Sequence, residues 1–157
     1  MGKTDVKENA CLSSYEFEAR SLSLQDALMI LAIRIVGDEI RRSPSARQHI
    51  LALARATPLF LMEDYAQTEK RFNGFVNWAG TTTMDDLFSR ALEKLRGAYR
   101  REALDWSAIN AVTQQPTEEM VAMLHHIGDA LGFSASVVEK SLSQAQRRPS
   151  EKSGPED

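Results

Sequence analysis

Asp38 and Glu39 stand side by side where an apolar stretch ends, and Glu118 and Glu119 stand side by side in the second half of the chain. Carboxylate oxygens are the ligands of hard divalent cations, and such ions take roughly six to eight oxygens, so one pair alone is too few. The residues after Glu39 are Ile40, Arg41, Arg42, Ser43 and Pro44, with no third acid and no EF-hand spacing. Read locally, Asp38 and Glu39 are the solvated end of a helix. His125 and Asp129 are the second candidate: four residues apart, they share a helix face with Glu118, and a His–carboxylate set suits zinc or another transition metal. The plainer reading of that spacing is an exposed pair worth a few tenths of a kcal/mol. His126 falls on the other flank, near Glu119, and two adjacent histidines on one helix cannot aim both rings at one ion.

Other chemistries find less. His49, His125 and His126 have no serine or cysteine elbow beside them, and no Gly-rich run opens a helix to cradle phosphate. The expectation is therefore that the chain is not an enzyme; a metal-dependent enzyme or small-ligand binder built on His125, Asp129 and Glu118 is the alternative. Ala130-Leu131-Gly132-Phe133-Ser134 joins two helices by a glycine turn, as DNA-binding helix-turn-helix units do. The second helix, over 134–148, offers Ser136, Glu139, Lys140, Ser143, Gln144, Arg147 and Arg148. Glu139 opposes phosphate and the arginines sit only at the far end, so a plain helical corner is the preferred reading. Asp85 and Asp86 open a helix, where acids complement its dipole. Trp78, Trp106 and the six methionines read as core filling before they read as a partner surface.

Composition narrows the class. The chain has 157 residues, 43% apolar and 26% charged, enough for one globular domain with a core. A net charge of -3 gives no general attraction to nucleic acid or anionic lipid. Cys11 is the only cysteine, which excludes an internal disulfide and a thiolate metal cage. The longest apolar run, Ala27 to Ile33, is too short to span a bilayer, and no hydrophobic leader opens the sequence. Val6 occupies the position where an N-myristoylation signal wants Ser or Thr. The expectation is a cytoplasmic protein without membrane insertion.

The elements that must position these residues are helices. Residues 1–15 carry no apolar period and read as a loose arm, residues 16–146 as the helical domain, and 147–157 as a disordered tail. Leu24, Ala27, Leu28, Leu31 and Ile35 form one stripe, with Met29, Ile30 and Ile33 filling the other side: a helix apolar nearly all round is central and buried. Ser43-Pro44 restarts the chain as a cap and first helical residue, and Thr57-Pro58 stops it. A helix follows over roughly 60–72, with a bend expected at Gly74. Met84, Leu87, Phe88, Ala91, Leu92 and Leu95 keep the i, i+3, i+4, i+7 rule throughout. Further helices are expected over 99–112, from Glu118 to Gly132, and from Ser134 to Gln146. A helix–turn–helix unit thus occurs twice, from Ala27 to Phe60 and from Ala103 to Phe133. The pattern predicts an all-α, single-domain bundle of six to eight helices with an internal pseudo-repeat.

Glu102-Ala103-Leu104-Asp105 to Ala111-Val112, then Glu118-Glu119, then Ile127-Gly128-Asp129-Ala130-Leu131-Gly132-Phe133-Ser134 resembles the second half of TerB-like tellurite-resistance domains. Residues 27–60 look like the matching first half, with Val36-Gly37-Asp38-Glu39-Ile40 at its acidic turn; the motifs are short, and together they cover roughly residues 20–145. The resemblance implies an all-helical, non-catalytic module in a stress-response or membrane-associated complex, with a protein partner; a homodimer is compatible with that role. It also implies a divalent cation at the acidic turns, where the family carries Asp-Gly followed by further acids. Here Asp38 matches that aspartate, Glu39 replaces the glycine and Pro44 falls near the expected acid. The second turn, Thr113-Gln114-Gln115-Pro116, is shortened and lacks the aspartate. The carboxylates left to such an ion are Asp38, Glu39, Glu118 and Glu119, provided the two turns meet.

Overall fold

The structure, a computed structural model, describes residues 22–61, 64–113 and 115–153, with side chains as far as Arg147. The arm expected over 1–15, Cys11 and the last residues of the expected tail lie outside the described residues. Among those described are eight α-helices and no strand: α1 (Leu24–Val36), α2 (Glu39–Arg42), α3 (Pro44–Ala56), α4 (Tyr65–Val76), α5 (Thr82–Leu95), α6 (Arg100–Thr113), α7 (Glu118–Ala130) and α8 (Ala135–Ser153), with a 3-10 turn at Pro58–Phe60. The chain is an all-α helical bundle. None of these helices is long and apolar enough to cross a membrane.

Ser23 starts α1 with a full capping box: its hydroxyl accepts from the Asp26 amide at 3.0 Å, and the Asp26 carboxylate accepts from the Ser23 amide. Nine of the thirteen residues of α1 are buried, which makes it the axis of the bundle. α5 and α6 are its main neighbours, α4 and α7 add smaller contacts, and α8 lies on the outer side of α6. The apolar stripe of α5 is buried at every position the sequence pattern selected, from Met84 to Leu95. Ala103, Ala108 and Ala111 on α6 are fully buried, and small side chains let α6 approach α1 closely.

Trp106 fixes that approach. Its indole N–H donates to the Leu28 carbonyl at 2.6 Å, and its ring lies 5.3 Å from the Phe60 ring, so a residue of the second unit packs into the first. At the other crossing, α7 meets α8 at Gly128, where a Cβ would stand 2.3 Å from Cγ2 of Val138. Gly132, with φ +92, then turns the chain between the two helices.

Three boundaries differ from the sequence expectation. The helix expected from residue 60 begins at Tyr65, because Pro58–Phe60 closes as a separate 3-10 turn. It then runs through Gly74 without a break: a mid-helix glycine costs about 1 kcal/mol relative to alanine, and burial of Phe72, Phe75 and Val76 outweighs that. α8 continues past Gln146 to Ser153, and Gly154 is the first glycine after it.

Candidate partner-binding cleft

The first acidic turn singled out in the sequence and the start of the helix after the second turn border one space. Residues from the end of α1 through α2, the Ala79-Gly80 turn, Met84 of α5 and the start of α7 line one cleft of about 410 Å³. Local sequence builds each wall. α1 stops at Gly37, and the single turn of α2 sets Asp38 and Glu39 on the rim, both exposed. Thr117 caps α7 by accepting from the Met120 amide at 3.1 Å, which places Glu118 and Glu119 in the first turn. Arg41 donates to the Ala79 carbonyl and so ties α2 to the turn before α5.

Asp38, Glu39 and Glu119 all border the cleft, whereas Glu118 is not part of its lining. The same rim carries Arg34, Arg41 and Arg42. Glu39 lies 3.4 Å from the Arg42 guanidinium. Arg34 bonds Asp85 at 2.8 Å, and its guanidinium also sits 4.7 Å above the Phe88 ring. Asp38 and Glu119 make no ion pair among the described residues. Below the rim the surface is apolar, and Ile40, Met84, Met120 and Met123 contribute to it. Met84 and Met120 are buried, while Met123 stays half-exposed at the mouth.

The fit to a divalent cation follows from these positions. A hard cation needs several oxygens at about 2.0–2.6 Å from one point. Among the described residues no three of His, Cys, Asp and Glu are grouped to hold a metal ion. Three carboxylates are instead spread around a cleft that also carries three guanidinium groups, one of them against Glu39. The residues present do not form the oxygen cage that the TerB resemblance implies.

The His125 alternative is not assembled as the spacing proposed. His125 Nε2 reaches across the corner to Glu139 Oε2 of α8 at 3.1 Å, rather than along its own helix to Asp129. A cross-helix carboxylate overrode the i, i+4 geometry, and sequence spacing carries no signal for it. Asp129 and Glu118 are exposed, and His126 stacks on Phe88 with ring centroids 5.9 Å apart. α7 and α8 do meet at the expected glycine turn. Ser136, Glu139, Lys140, Ser143, Gln144 and Arg147 face outward, while Val138, Ser141 and Ala145 are buried.

What the sequence reading missed is the methionine floor. Met120 and Met123 are spaced i, i+3 on α7, which was legible; that Met84 of α5 joins them was not. Thioether side chains thus lie beneath a rim that carries charges of both signs, with Met123 the one among them that is half-exposed. No family model, no curated protein and no solved structure matches this chain.

Proposed function

We propose that this chain is a non-catalytic, TerB-like helical module that serves a stress-response or tellurite-resistance system by binding a protein partner in the cleft between its two turns. The observation that carries this reading is that the acidic turn of the first unit and the first turn of α7 border one cleft of about 410 Å³ with methionines beneath its rim. Its size falls within the roughly 300–1,000 Å³ typical of binding pockets. Asp38 and Glu119 stand on the rim without an ion-pair partner among the described residues, so the segment that enters presents an apolar side chain next to a Lys or Arg.

A photo-crosslinking residue at Met123, introduced in the native cell, tests this directly. The expected result is one protein captured at position 123, not at the exposed control position Glu93, and lost when Asp38 and Glu119 are both changed to Lys. Equal capture at both positions, or capture indifferent to the charge reversals, would remove the cleft from the account. A cation remains a separate question for titration calorimetry. Binding of Ca²⁺ or Zn²⁺ that Asp38→Asn and Glu119→Gln abolish would restore the acidic-turn site.

A further inference from the structure

A second concave surface lies away from the cleft. α3 ends at Ala56 and the chain turns through Pro58–Phe60, which leaves a groove of about 530 Å³ between that turn and one face of α6. Leu53, Pro58, Leu59, Ile109 and Val112 line it, and the ring of Trp106 contributes to its wall. Leu53, Leu59, Ile109 and Val112 are half-exposed although their spacing is that of core residues. The α6 face from Glu102 to Thr113 is about 17 Å long at 1.5 Å per residue, which matches three turns of a docked helix.

Charge decides the occupant. Among the described residues, Glu102 and Asp105 are the only charged ones that line the groove. Asp105 is held by Ser141 at 2.7 Å and by Arg101 at 3.4 Å, while Glu102 is exposed with no ion pair among the described residues. The chain's own first residues are a poor match, since the acids Glu16 and Glu18 flank their aromatic residues Tyr15 and Phe17. A second copy would offer the same groove lining, in which no Lys or Arg stands among the described residues to meet these acids. We infer that the groove is a docking site for an amphipathic helix of another protein, with an apolar face bordered by Lys or Arg. This surface is distinct from the cleft, and the inference does not depend on the cleft's function.

The probe is a fluorescein-labelled helical peptide of 18 residues made of Leu and Lys, with leucines at i, i+3, i+4 and i+7, and a Leu/Glu counterpart of the same pattern. Anisotropy titration of the full chain should give a Kd about tenfold tighter for the Leu/Lys peptide. Glu102→Lys, an exposed change that leaves the core intact, should weaken that binding about tenfold, and Ile109→Ser should weaken both peptides. Glu119→Lys at the cleft should leave it unchanged. The inference is overturned if the two peptides bind equally, or if Glu119→Lys acts as strongly as Glu102→Lys. It is overturned equally if Tyr15→Ser with Phe17→Ser tightens peptide binding about tenfold, which would make the chain's own segment the occupant. Sedimentation as a dimer that Ile109→Ser splits would assign the groove to a second copy.

Discussion

Gly128→Ala isolates the α7–α8 crossing from the rest of the fold. The added methyl carbon would lie 2.3 Å from Val138 Cγ2, against an ordinary carbon–carbon contact of about 3.5–4.0 Å, so more than an ångström must be absorbed. Val138 is 1% exposed and β-branched, and in a helix its χ1 has essentially one rotamer, so the side chain cannot swing aside. Overpacking of this kind costs about 1–3 kcal/mol, and the better helix propensity of alanine returns at most about 1 kcal/mol. The net expectation is a loss of about 1–2 kcal/mol, or roughly 3–6 °C in Tm for a domain of this size. Val138→Ala alone should also destabilise, by leaving a cavity. In the double variant the new methyl fills the space that the valine vacated, so the two losses should not add. Urea denaturation of all four proteins would give a stabilising coupling of about 1–2 kcal/mol. Additivity within about 0.5 kcal/mol, or a Gly128→Ala protein as stable as the parent, would refute the claim that these helices touch at this glycine.

Two further substitutions probe α6. Trp106→Phe removes the indole donor to the Leu28 carbonyl and part of the contact with Phe60, and should cost about 2 kcal/mol in denaturant unfolding; a change below about 0.5 kcal/mol would show that the second unit does not anchor on α1 here. Asn110 is fully buried, and among the described residues its Oδ1 has no hydrogen-bond partner, although Nδ2 donates to the Trp106 carbonyl. Asn110→Leu keeps the branched skeleton but is bulkier at a fully buried site, so overpacking of about 1–3 kcal/mol works against relief of the unpaired oxygen; the expected loss in urea unfolding is below about 2 kcal/mol, and a loss above about 4 kcal/mol would mean that the oxygen has a partner.

The cleft and the groove divide the surface by chemistry. The cleft offers adaptable sulfur-bearing side chains beneath a rim of both signs; the groove offers fixed aliphatic walls beside acid alone. Charge reversals at Glu119 and at Glu102 should therefore affect different partners, and each serves as the control for the other.

Sequence by itself determined the helices. The stripe from Met84 to Leu95, the Ser23 and Thr117 caps and the Ser43-Pro44 restart are local signals, since helix period and terminal hydrogen bonding depend on residues a few positions apart. The repeated helix–turn–helix pattern also pointed to two acidic turns facing one another, and three of the four carboxylates named do border one cleft. Tertiary structure alone decided what those residues meet. Arg34 finds Asp85 fifty-one positions away, and His125 finds Glu139 on the next helix instead of Asp129 on its own. Ile109 and Val112 have core spacing yet stay half-exposed, because α3 ends at Ala56 and the chain turns away through Pro58–Phe60. Periodicity says which side chains share a face; whether another element covers that face depends on where distant segments end and cross, and no local pattern encodes that.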